Sequence, residues 1–143
     1  MALSKLEQLY RHVIVDHSSH PHNYGDLQDL TDAVELHNPT CGDTIEIQVN
    51  LVNDCIQDIR FSGSGCTISK ASASMMTDIM KNKTKNEAQQ LIDAFSLMML
   101  GEEPEKEETF GDAIMLQTVS KFPARIKCAT LAWKALEKAL EIK

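Results

Sequence analysis

The stretch Phe61-Ser-Gly-Ser-Gly-Cys-Thr-Ile-Ser-Lys-Ala71 sets a cysteine directly after two glycines and directly before a run of small, helix-compatible residues. An alternating apolar run ends at Phe61. The pattern therefore predicts a strand, a sharp turn bracketed by Gly63 and Gly65, and a helix beginning at Cys66. A sulfur at a helix N-terminus lies among unpaired backbone N–H groups and the positive end of the helix dipole, and both favour a thiolate. A thiolate is the form that binds a metal ion or attacks a sulfur electrophile.

Two further cysteines sit at element boundaries. Cys41 lies in Asn38-Pro-Thr-Cys-Gly-Asp43, where Pro39 fixes one torsion and Gly42 frees another. Cys128 lies in the first turns of a helix opened by Phe122-Pro123. Asp43 is a natural fourth donor, because both it and Cys41 can turn toward one ion across Gly42. Three thiolates and a carboxylate make a four-coordinate set that suits zinc, iron or an iron–sulfur cluster. The intervals from Cys41 to Cys66 and from Cys66 to Cys128, 25 and 62 residues, match no finger or ribbon pattern. On the residues alone, a shared metal site and three thiols packed as small hydrophobes both stay open. Cys55, beside the Asn53-Asp54 turn and without a glycine or carboxylate motif, reads as structural. His17, His20 and His22, between Asp16 and Gly25, read as a polar turn punctuated by Pro21 rather than as a metal cluster.

These residues need elements to position them. Leu6, Leu9, Tyr10, Val13 and Ile14 predict an amphipathic helix from Ser4 to about Asp16. Ala33 to Leu36 reads as a short strand. Thr44 to Val52 is a half-buried strand with Ile45, Ile47, Val49 and Leu51 on one face, and Ile56 to Phe61 returns. A strict two-residue hairpin at Asn53-Asp54 would set Val49 opposite Asp58 and mix the faces, so a bulge or a longer turn is expected. Thr67 to about Lys81 is a helix. Thr84 and Glu87 form a capping-box pattern for a second helix that runs to Leu100 and stops at Gly101. Glu102 to Thr109 reads as a solvated acidic loop, followed by a turn of helix near Phe110. The last helix carries Ile126, Ala129, Trp133, Leu136 and Leu140 as its buried stripe, with Cys128 one position off it. Met75, Met98 and Met99 read as core filling.

The chain has 143 residues, which predicts a single domain, 1–143, long enough to bury a core. A net charge of −7 argues against nucleic-acid or anionic-membrane surfaces, which need basic patches. No apolar run approaches transmembrane length, and the N-terminus lacks a signal-peptide core, so a cytoplasmic location is expected. Four cysteines in such a chain favour metal or thiol chemistry over disulfides.

Val15-Asp16-His17 with Pro21 and Asn23 to Gly25, Asn38 to Asp43, Phe61 to Ser69, and Phe122-Pro-Ala-Arg-Ile-Lys-Cys128 together resemble the iron–sulfur cluster assembly proteins of the IscU and SufU type, also called NifU-like, over nearly the whole chain. The resemblance implies an α+β fold, with a small, mainly antiparallel three-stranded sheet and helices packed on it. It also implies a metal site of Cys41, Asp43, Cys66 and Cys128 at one end. IscU-type scaffolds carry a histidine before the third cysteine, where this chain has Lys127. They also carry a Pro-Pro-Val-Lys stretch recognised by a chaperone, where this chain reads Pro123-Ala-Arg-Ile126. The segment from Glu102 to Ser120 is similar to an insertion of the SufU branch.

These features favour the SufU-like role: a zinc-dependent sulfurtransferase that accepts persulfide sulfur from a cysteine desulfurase and passes it toward a downstream iron–sulfur assembly scaffold. In that role Cys41 is the catalytic thiol, leaving the zinc to attack the persulfide while Cys66, Cys128 and Asp43 keep the metal. Arg125, one turn before Cys128, faces the partner or the persulfide, or is a solvated helix arginine. Two other functions compete: a scaffold on which an iron–sulfur cluster is built at the same ligands, and a zinc-stapled adaptor with no chemistry of its own.

Overall fold

The computed structural model describes residues 5–104 and 107–141. Helix α1 (Lys5–Ser19) is followed by strands β1 (Asp32–Asn38), β2 (Asp43–Val52) and β3 (Cys55–Ser64), then helices α2 (Thr67–Met80) and α3 (Lys85–Met99). A 3₁₀ stretch (Glu107–Lys121) and helix α4 (Pro123–Glu141) complete the chain. The three strands form one antiparallel sheet in the order β1-β2-β3, giving the expected α+β architecture.

The β2–β3 hairpin turns at Asn53 and Asp54, whose φ values of 53° and 61° are those of a tight two-residue turn that Asn and Asp tolerate. The expected bulge is present. Leu51 opposes Ile56, but Asn50 opposes Asp58 and Val49 opposes Ile59, leaving Gln57 as the extra residue. That one residue returns Ile59 and Phe61 to the side of Ile45, Ile47 and Val49, and all five are fully buried.

One face of the sheet carries α4 over β1 and β2, and α2 over β3. Small residues on α2 allow close approach: Ser69, Ala71, Ser72, Ala73 and Ser74 are all buried. Ser72 bridges the two helices, donating to the Ala129 carbonyl and accepting from the Trp133 indole N–H at 2.9 Å. Trp133 in turn stacks on Phe95 of α3, with ring centroids 4.0 Å apart. The capping box at Thr84 and Glu87 forms as expected, and Met75, Met98 and Met99 fill the core.

Several boundaries differ from the sequence pattern. Helix α1 continues to Ser19, so His17 is a buried helical residue rather than part of an exposed loop. Ser4 and the side chain of Leu6 lie outside the described residues; on the face that was expected to be apolar, Ile14 is buried but Leu9 is half exposed. Strand β1 runs on to Asn38 because its backbone pairs fully with β2. The segment after the acidic loop is far more ordered than a single turn. It buries Phe110, Ala113, Leu116 and Val119 and kinks at Gly111, where φ is 53°. Helix α4 is covered on most sides, so Cys128, off the heptad stripe, is nevertheless fully buried. Cys55 bridges to Thr84 at the hairpin end, away from the other cysteines. Among the described residues, no helix is long and apolar enough to cross a membrane.

Candidate metal centre

The β1–β2 connection builds the first half of the site. Asn38 and Asp43 are cross-strand partners that close a four-residue turn, and the Gly42 N–H donates to the Asn38 carbonyl at 2.8 Å. Gly42, with φ of 73°, makes that turn possible. Cys41 is carried on the turn and is half-buried, while Asn38 and Asp43 point inward and are buried.

The β3–α2 junction builds the second half. Cys66 sits at the N-cap of α2 in extended conformation, and no side chain of its own caps the helix. Asp43 caps it instead: Oδ1 accepts from the Cys66 N–H at 2.8 Å and from the Ser69 hydroxyl at 3.2 Å. This is a carboxylate where the helix dipole favours one. Gly65 leaves the necessary room, since a Cβ there would meet Asp43 Oδ1 and Ser69 Oγ. The sharp turn thus needs its second glycine for the space that the acid occupies. Gly63 needs its own, because its φ is 130° and a Cβ would strike the Thr44 carbonyl oxygen.

Helix α4 brings the third element. Cys128 Sγ lies 3.0 Å from Cys41 Sγ, and Asn38 Nδ2 reaches both Asp43 Oδ2 at 3.2 Å and Cys128 Sγ at 3.6 Å. Cys41, Asp43 and Cys128 offer ligand atoms that all lie within 4.8 Å of one another. Cys66 stands just outside that group, its thiol directed at Ser69 Oγ, 3.8 Å away. Arg125 is exposed, and its interactions with Cys128 and with the nearby sulfurs of Cys66 and Cys41 push its guanidinium above its ordinary value.

The electrostatics around Asp43 set burial against hydrogen bonds. Burial alone would push the Asp43 carboxyl up. The Cys66 N–H, the Cys128 thiol, Asn38 and Ser69 outweigh burial and hold the carboxyl below its ordinary value. Burial also drives the Cys128 thiol far above its ordinary value, helped by hydrogen bonds with Cys41, Asp43 and Cys66. Yet Asp43 joins no ion pair with Lys, Arg or His among the described residues. A buried carboxylate beside thiols, with donors but no counter-charge, fits a sulfur-preferring divalent ion such as zinc.

Asn38 and Ser69 are the site residues that motif reading missed. Asn38 stands in the same short motif as Cys41, and Ser69 lies one helical turn after Cys66, so the signal was their spacing from residues already chosen.

A second group of potential ligands, His17, His22 and Asp78, also lies within 4.8 Å. Here three of the four ring nitrogens are already engaged. His17 Nδ1 is 2.7 Å from Ser74 Oγ, and its Nε2 is 2.9 Å from Asp112 Oδ2. His22 Nδ1 is 2.6 Å from Asp78 Oδ2, and the His22 N–H donates to Ser74 Oγ at 2.8 Å. This cluster ties α1, the loop after it, α2 and the 3₁₀ stretch together.

Comparison with known proteins agrees with the architecture. Residues 9–129 match the NifU-like N terminal domain. The chain is 53% identical over 141 residues to a Streptococcus pyogenes protein named iron-sulfur cluster assembly scaffold protein IscU, covering 99% of this chain and 88% of that one. It is 50% identical over 137 residues to the zinc-dependent sulfurtransferase SufU of Bacillus subtilis, covering 96% and 92%. A crystal structure from Fervidobacterium islandicum, described as a putative iron-sulfur cluster assembly scaffold protein for the SUF system, superposes with a TM-score of 0.86 at 35% identity, covering 94% of this chain and 98% of that one. The chain is a member of the NifU-like N-terminal domain family.

Proposed function

We propose that this protein is a zinc-bound sulfur acceptor that takes persulfide sulfur from a cysteine desulfurase during iron–sulfur cluster assembly. One observation carries the reading: Asp43 is buried among thiols without a cationic partner. The name of the B. subtilis relative supports it. Cys41, Asp43, Cys66 and Cys128 would hold the ion, with Cys66 moving inward from the rim. Zinc bound there supplies charge that keeps cysteine sulfurs as thiolates at neutral pH.

Cys41 is the acceptor. It is carried on a glycine-containing turn, whereas Cys66 and Cys128 are anchored on helices. Its thiolate attacks the terminal sulfur of the donor persulfide, forming a new S–S bond at Cys41 and breaking the donor's, so that the donor cysteine departs as a thiolate. Access comes from the open side, where Arg125 is exposed. Beside Cys66, a groove of about 470 Å³, lined by Val15, Ile68, Val119 and Phe122, offers apolar surface to a protein partner.

The test pairs metal analysis of freshly purified protein with sulfide release by a cysteine desulfurase, measured with and without it. Near-stoichiometric zinc and stimulation that collapses in Cys41→Ala are expected. Full stimulation by Cys41→Ala would leave only an adaptor role. The S. pyogenes relative's name favours a second reading, in which a cluster is assembled on the same ligands. That reading expects a coloured, transferable cluster after anaerobic reconstitution with iron and sulfide.

A further inference from the structure

We propose that Asn38 is a positioning residue that ranks two sulfurs of this centre, holding Asp43 and Cys128 in place and leaving Cys41 the more reactive of the pair. The inference rests on the reading that these side chains hold a metal ion, and it assigns a role to a residue outside the ligand set.

Asn38 is only 4% exposed, yet it carries an amide with two N–H donors. Its Nδ2 lies within reach of Asp43 Oδ2 and Cys128 Sγ, one donor for each. Its backbone carbonyl holds the Gly42 N–H. One residue thus ties together an acid, a sulfur and the turn that carries Cys41. The remaining Asp43 oxygen is fixed by Cys66 N–H and Ser69, so the carboxylate has no freedom to swing.

The sulfurs are treated unequally. An N–H directed at a thiolate shares its charge and lowers both its basicity and its nucleophilicity. Cys128 receives such a donor from Asn38. Among the described residues, Cys41 Sγ receives no N–H or O–H, only the thiol of Cys128. It therefore keeps its full nucleophilicity and sits on the more open element. Outer partners of metal ligands commonly set affinity in this way, and removing one costs about 10–100-fold.

The test compares zinc-loaded and cobalt-loaded wild type with Asn38→Ala. Expected are about 10–100-fold weaker zinc in chelator competition and a shifted thiolate-to-cobalt charge-transfer band. Mapping of limited iodoacetamide alkylation should place the label first on Cys41 in the wild type and on both Cys41 and Cys128 in the variant. Labelling still confined to Cys41 in Asn38→Ala, whatever the zinc affinity, overturns the proposal. If Asn38→Ala does not fold, Asn38→Ser, with one donor in place of two, is read by the same labelling map and the same criterion. A wild type that binds no zinc sinks the underlying metal reading as well. A zinc-binding wild type with an indifferent Asn38→Ala sinks this inference alone.

Discussion

At the first turn of α2, Cys66 and Ser69 donate to Asp43, which groups with Cys41 and Cys128; further along the same helix, Ser74 and Asp78 face His17 and His22. Both groups contain residues that bind metals, and both draw on distant segments. They differ in what is left over. Both ring nitrogens of His17 and Nδ1 of His22 are already engaged, so a metal there would have to break existing hydrogen bonds. At the cysteine end the donors converge on Asp43, and the sulfurs keep lone pairs for an ion. Residue type nominates both clusters, and only the state of the hydrogen bonds separates them.

The largest expected effect is that of a chelator on the zinc proposed above. Structural zinc contributes on the order of 10–16 kcal/mol in small finger peptides, against about 5–15 kcal/mol for the whole stability of a domain. Loss of even about 3 kcal/mol should lower Tm by roughly 10 °C. Calorimetry before and after chelation, with zinc quantified, checks this. An unchanged curve after verified removal would make the two clusters equivalent as purely polar contacts.

Next in size is His17→Ala. It deletes a buried ring and its hydrogen bonds to Ser74 and Asp112, which should cost about 2–4 kcal/mol in urea denaturation. Zinc per folded molecule should not change. A fall in zinc content, corrected for the folded fraction, would show that the histidine cluster binds metal too.

Gly65→Ala sharpens the contrast from the other side. The added methyl meets Asp43 Oδ1 and Ser69 Oγ, so the carboxylate must shift. The expected cost is about 1–3 kcal/mol, no larger than that of the histidine change. Unlike that change, it should weaken zinc in chelator competition. Equal zinc affinity in Gly65→Ala and wild type would mean that the close seat of Asp43 is immaterial to the ion.

Strand alternation at Ile45 to Leu51 and the mismatch at Val49 were enough to read the sheet and its bulge, because period-two burial is written locally. The Asn38-to-Asp43 motif and the Gly-Ser-Gly before Cys66 showed where polar chemistry would gather, because turns demand particular residues. Burial of His17 was not legible: it depends on Asp112, which is 95 residues away in the chain. The order within Glu107–Lys121 was hidden as well, since Phe110, Ala113, Leu116 and Val119 recur every three residues beside an acidic run that reads as solvent-facing. The roles of Asn38 and Ser69 became visible only when β1, β2 and α2 met.

The smallest prediction concerns Asp58, another carboxyl held below its ordinary value. At Asp58, burial pushes the carboxyl up, but the Ile59 N–H, Arg60 and Lys81 outweigh it and hold the group below its ordinary value. This is the usual arrangement for an acid, with side chains supplying the cation: Arg60 at 2.7 Å and Lys81 at 3.5 Å. Because the folded-state value is lowered, its stabilisation is present above the unfolded value of about 3.9 and is lost as pH falls through the folded value. The side chain is 32% exposed, so solvent screens the pair to a few tenths of a kcal/mol at about pH 7. In Asp58→Asn the amide oxygen can still accept the Ile59 N–H, which isolates the charge. The stability difference from wild type should shrink with added salt and vanish in acid. A difference that persists once the wild-type carboxyl is protonated in the folded state would trace to packing, and Asp58 would no longer serve as the paired counterpart of Asp43.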